Sequence, residues 1–178
     1  MGLPIEPDTY SIDPAHSQLG FAVTHLGISS LLGTFDRFTG ELVVGETLAN
    51  TSVMIDAEMA SIHSGNSMRD EQLHGANYFD DVANHPTMQF RSTSITESRG
   101  EYTLPGDLTI KGTTLPVTFH VTYNGAAVFP MDGSTRHGFT AGGAISRSAF
   151  GVSYDVPVVS DEVKLSLNVE FVQPAAHT

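Results

Sequence analysis

Cysteine is absent from the 178 residues, which excludes disulfides and thiolate metal sites. Basic residues are scarce: eight Lys and Arg stand against twenty Asp and Glu, a formal net charge of −12. A field of that sign repels phosphate backbones and anionic membrane surfaces, so nucleic acid is excluded as a partner and the charge serves solubility. Apolar runs long enough to span a bilayer are missing. The N-terminus, Met1-Gly2-Leu3-Pro4-Ile5-Glu6, has neither a basic n-region nor an apolar h-region, and the compartment it implies is the cytoplasm. Glu6 stands where a myristoylation signal wants Ser or Thr. There is no Gly-x-Ser-x-Gly elbow, phosphate loop, dinucleotide fingerprint or helical His pair of the metalloprotease kind. Catalytic residues, metal ligands and a cofactor are therefore not assigned.

What is present is an apolar period of two. Val117, Phe119, Val121 and Tyr123 alternate with Thr118, His120 and Thr122, and Leu165, Leu167, Val169 and Phe171 with Ser166, Asn168 and Glu170. The same pattern runs through Val53 to Met59 and Tyr102 to Ile110. Residues two apart share a face of a strand, so these segments predict antiparallel sheet with one apolar and one solvated side. Turn residues set strands near 32–44, 51–60, 87–97, 101–111 and 114–124, with Asn124-Gly125 ending the last and a mobile loop over Ala126 to Thr135. Gly33, Gly40, Gly106, Gly142 and Gly143 suit bends where such a sheet closes. One stretch, about 66–75, predicts a short helix. Asn66 or Ser67 caps it, Asp70 and Glu71 favour its dipole, and Gly75 takes the left-handed C′ position. Tyr78 and Phe79 then anchor the helix over one end of the barrel. The length fits one domain over 1–178 with a core that needs no staples.

Six segments in order resemble the YceI-like family: Tyr10-Ser11-Ile12-Asp13-Pro14-Ala15-His16-Ser17 with Phe21 to Gly27; Gly33 to Gly40; Asp70 to Phe79; His85 to Ser92; Gly106 to Gly112; and Arg147 to Gly151. The resemblance covers about residues 9–172. Tyr10 stands where the family commonly has Trp, and Ser146 precedes Arg147 where an acidic residue or Asn is common. The resemblance implies an eight-stranded antiparallel, lipocalin-like barrel with a helix across one long connection. It also implies an interior that holds a long amphipathic lipid, a polyisoprenoid or isoprenoid quinone, and a possible homodimer. Relatives are often periplasmic.

Periodicity by itself leaves the barrel interior either packed or hollow, since eight strands allow both. The interior candidates are Phe21, Val23, Phe35, Phe38, Leu42, Ile55, Phe90, Leu108, Phe119, Val121, Phe139 and Leu167. In a hollow barrel they would meet lipid, and each buried methylene would contribute about 0.8 kcal/mol. His25 and Arg147 are candidates for a polar head group; otherwise His25 is a rim residue, and Arg147 pairs with a carboxylate or caps backbone carbonyls. Two other functional readings stay open. Asp13 and His16 could form a general acid–base pair acting on an apolar substrate, although Asp13-Pro14 is also turn chemistry. The chain could instead be an interaction module without a tight ligand. Eight histidines, at 16, 25, 63, 74, 85, 120, 137 and 177, could converge on a metal only through the fold.

Overall fold

The computed structural model describes residues 2–75, 77–79 and 83–173; His177 and Ala76 lie outside these. In chain order the strands are β1 (Asp8–Ile12), β2 (Gln18–His25), β3 (Ser29–Phe35), β4 (Phe38–Val44), β5 (Ser52–Glu58), β6 (Ile62–His63), β7 (Thr87–Ser92), β8 (Thr96–Ser98), β9 (Glu101–Ile110), β10 (Thr113–Val128), β11 (Thr135–Ser146) and β12 (Glu162–Val172). The helix α1 (Ser67–Leu73) lies between β6 and β7. Eight strands form a closed antiparallel ring, β1-β4-β5-β7-β9-β10-β11-β12, sealed by pairing of β12 with β1 through Ser11↔Val172 and Ile12↔Phe171. Beyond that seal β12 pairs with β2, β2 with β3, and the end of β3 with β6. The sheet is thus a complete ring at one end, the floor, and splays open at the other, the mouth.

Alternation places the core. Along β9, Tyr102, Leu104, Gly106, Leu108 and Ile110 are buried while their neighbours are half-buried or exposed. Val117 and Phe119 do the same on β10. In a strand the side-chain period is two, so a shift of one residue would turn every apolar group outward; the apolar pattern therefore fixes the register.

Several expected segments are redrawn. The strand expected over 32–44 breaks at Asp36-Arg37, because β3 follows β2 outward while β4 pairs with β1 and β5 in the ring. The strand expected over 87–97 is two strands, β7 and β8. Between them lies Pro105 of the facing strand, which has no N–H to offer a continuous partner; only its carbonyl is used, accepting from Thr93 N–H at 2.9 Å. Asn124-Gly125 does not end β10. Gly125, at φ 111°, absorbs a bulge and the strand runs on to Val128, so the loop expected over 126–135 shrinks to residues 129–134. Asn66 caps α1 by accepting from Arg69 N–H at 3.0 Å. Gly75 is not left-handed: the helix ends on a right-handed His74, whose N–H contacts several last-turn carbonyls.

The strand glycines make room as well as bends. A Cβ on Gly106 would stand 2.4 Å from the Phe90 ring and 2.5 Å from the Arg91 carbonyl oxygen; one on Gly33 would stand 2.2 Å from the Phe21 ring. Each ring lies across the bare backbone of the neighbouring strand, which only glycine permits. Gly106→Ala should therefore destabilise the protein by about 1–3 kcal/mol. Thermal unfolding should shift down by about 2–4 °C per kcal/mol. Gly138→Ala, where the nearest atom is 3.7 Å away, should change the midpoint little.

Candidate functional site

The barrel is hollow. An inner cavity of about 120 Å³ runs up its axis, walled by residues such as Leu42, Val53, Ile55, Phe90, Leu104, Leu108, Phe119, Val121, Phe139, Ala141, Leu167 and Phe171. A chamber of about 310 Å³ lies above it at the mouth, a size within the ordinary range for ligand pockets. Phe35, Met88 and Leu165 line both, so the two spaces adjoin end to end and are treated together as one tunnel. A single face of β12, from Val163 to Phe171, follows the tunnel throughout, roughly 26 Å at about 3.3 Å per residue.

Of the fourteen residues proposed from sequence to meet a ligand, all but Phe38 line this tunnel. Leu42, Ile55, Phe90, Leu108, Phe119, Val121, Phe139 and Leu167 wall the inner cavity. Phe21, Val23, His25 and Arg147 wall the chamber, and Phe35 stands at the junction. Phe38 is buried in the core at the start of β4, where it lines neither space.

The chamber is built by the elements that leave the ring. β2 and β3 form one side, with Phe21, Val23, His25, Leu31 and Leu32. α1 and the segment after it form another, with Arg69, Gln72, Leu73, Tyr78 and Phe79. The spacing 69/72/73 puts three residues on one helix face, a signal that sequence reading could have used and did not. The 152–163 segment closes the third side and is tied to the β2–β3 tip, where Leu26 N–H donates to the Val158 carbonyl at 2.8 Å. Leu26, Ile28, Leu32, Met68, Tyr154, Val156 and Val158, all at or beside the mouth, are exposed, Ile28 by 84%.

Few polar groups face the chamber, and most are committed. Arg147 is buried, and four of its N–H groups donate to the carbonyls of Val152, Tyr154, Val159 and Ser160 at 2.8–2.9 Å. It takes the carbonyl-capping role that the sequence left open, and braces the 152–160 wall. Ser146 and Ser148, flanking it, donate to Asp161, which holds that carboxyl below its ordinary range. Arg69 Nε and Nη2 donate to the Ser64 hydroxyl and carbonyl, both at 2.8 Å. Tyr78 donates to Asp155 at 3.2 Å; burial, with the Asp155 charge, raises its hydroxyl pKa.

The Asp13–His16 pair lies away from the tunnel. Asp13 caps a short 3-10 turn, accepting from Ala15 N–H at 2.9 Å and meeting His16 Nδ1 at 2.8 Å. Asp13, His16 and Glu170 are the one cluster with metal-ligand spacing among the described residues. Arg136 stands among them, donating to Asp13 and to Glu170, so the carboxylates already face a fixed cation. Beneath the tunnel, His137 is buried between Tyr10 and Tyr123, with Nδ1 3.1 Å from the Tyr123 hydroxyl. Burial depresses its pKa.

Two outcomes follow from these geometries. Arg147→Met should cost about 3 kcal/mol or more, because it orphans carbonyls at the chamber wall. Arg147→Lys should not restore the loss, having three donors on a point charge where a planar fork is used; urea unfolding measures both. For His137 the neutral form is favoured by folding, so its contribution is complete above the ordinary value of 6.5 and is lost as pH falls through the depressed folded value. The wild type should lose stability on acidification from pH 7 toward 5 by an increment that His137→Gln lacks, read as the difference in urea midpoints.

Comparison with known proteins places this architecture. The sequence matches the YceI-like domain over residues 10–171. A UPF0312 protein of Staphylococcus aureus (strain USA300) is 35% identical over 167 residues, covering 91% of this chain and 92% of that protein. Among solved structures, Burkholderia cenocepacia BcnA superposes with a TM-score of 0.79 at 26% identity, covering 89% of this chain and 98% of its own. A polyisoprenoid binding domain from Saccharophagus degradans shares the fold, with a TM-score of 0.68 at 13% identity over 93% of this chain and 98% of that one.

Proposed function

Because the chain belongs to the YceI-like family, we propose that it binds a long apolar or amphipathic lipid, of the polyisoprenoid or isoprenoid quinone class, in the tunnel and serves as its carrier or store. The observation that carries this reading is the tunnel itself: two adjoining spaces with mainly apolar walls, the inner one at the ringed end and the larger one at the mouth. An apolar tail laid along it would gain about 0.8 kcal/mol per methylene removed from water, less the cost of ordering the chain. The binding domain that shares this fold is described as taking polyisoprenoids, which supports the ligand class.

The mouth fits the polar end of such a molecule. Arg69, Gln72, His25 and Tyr78 stand around a chamber whose lining, apart from these and Ser64, Arg147 and Asp155, is apolar. The exposed apolar rim suits the transfer of a water-insoluble molecule, since rim and tail both favour contact with an apolar surface over water. Apolar walls discriminate weakly between chains that differ by one methylene, so selectivity between chemical types would lie at the mouth.

Protein purified under native conditions, denatured and extracted into organic solvent, should yield a lipid near one per chain by mass spectrometry. Ala141→Phe, which places a ring in the inner cavity, should reduce retained lipid at least tenfold while the circular dichroism spectrum stays that of the wild type. A preparation that carries no lipid and takes up no added isoprenoid alcohol would overturn the proposal.

A further inference from the structure

We propose that the N-terminal arm, residues 2–7, sets how long a tail the tunnel accepts, with Leu3 as the stop that the tail's end meets; this rests on reading the tunnel as a lipid site. The inner cavity's walls come from strands and from Ile95 in the β7–β8 link, with one exception. Leu3 lines the cavity from outside the sheet. It lies at the floor, because the arm leads into β1, whose first residue Asp8 pairs with Val44 at the end of β4.

The arm is packed there without joining the strand ladder. Ile5 is buried in the core, with 7% of its surface exposed. The Tyr10 hydroxyl donates to the Glu6 carbonyl at 2.8 Å, and Gly2 lies against the backbone of Glu46 and Thr47. Pro4 and Pro7 flank Ile5 and restrict the backbone, which lowers the entropy lost on docking. Leu3 itself is half-buried, packed against the core and part of the cavity wall.

That arrangement separates tunnel length from barrel architecture. Changing a strand residue alters a wall held in register on both sides. Changing Leu3 moves only the floor. A smaller side chain deepens the tunnel, and a larger one shortens it, with every cross-strand pair left in place.

The experiment uses the full chain and its Leu3→Ala and Leu3→Trp variants. Linear primary alcohols of graded length are scored by displacement of a fluorescent polyene fatty acid. The alanine variant should move the tightest-binding length upward by roughly three methylenes, the number of carbons removed. Affinity should rise about fourfold for each methylene that enters the vacated space. The tryptophan variant should move the optimum to shorter alcohols. Trp keeps the floor covered, so its profile decides the matter even if the alanine variant unfolds. Variants that fold and share the wild-type length profile would overturn the assignment of the arm and leave the lipid site standing. A wild type that binds none of the alcohols or the probe would overturn both.

Discussion

The hollow interior depends on the pairing of β1 with β12. Only Ser11↔Val172 and Ile12↔Phe171 join these strands, yet that seam turns a long sheet into a ring with an inside. Without it β1 and the last residues of β12 would be unpaired edges, and the apolar faces that wall the tunnel would be open to water. The chain then uses breaks to prevent the ring from closing along its whole height. The path from β1 to β2 turns at Pro14–His16, where Asp13 caps the turn and shares Arg136 with Glu170. β3 leaves β4 at Asp36-Arg37, and β5 gives way to β6 through Met59–Ser61. These three departures lie on one side of the barrel, and together they make the mouth.

Much of this was legible in the sequence because period two is a strong signal wherever one face is buried. Tyr102 to Ile110 and Leu165 to Phe171 read correctly for that reason, and the candidate wall residues taken from such runs do line the tunnel. Capping chemistry at Asn66 was equally local and equally readable. What failed had non-local causes. Nothing near 87–97 announces a break; the reason lies across the sheet, in Pro105. Asn124-Gly125 has the composition of a turn, but its neighbours on β11 hold it in a bulge. Phe38 has the right period but is buried in the core without lining either space. Arg69, Gln72 and Leu3 went unnoticed because a short helix and an irregular arm carry no alternation to read.

Arg147 shows how a motif can be located in the sequence while the choice between its roles needs the fold. A charged residue in a family-like segment beside a pocket invites a binding role. The structure spends its donors on four backbone carbonyls of the segment that walls the chamber. Ser146 holds Asp161, so negative charge is supplied from the residue just before β12 rather than from the position adjacent to Arg147. The polarity of the mouth is therefore largely internal bracing, which leaves the tunnel's apolar wall as its main chemical character.

The seam between β1 and β12 also has a consequence in time. Its partners are about 160 positions apart in sequence, among the most non-local contacts the fold makes, and contacts of that kind form late and slowly. During synthesis the N-terminal strand must wait for the last one, and until β12 arrives the concave sheet is an open trough of apolar side chains. An enclosed tunnel exists only from the moment of closure. Closure therefore removes the apolar faces from water in one step, and the exposed trough that precedes it is the state most open to association with other apolar surfaces.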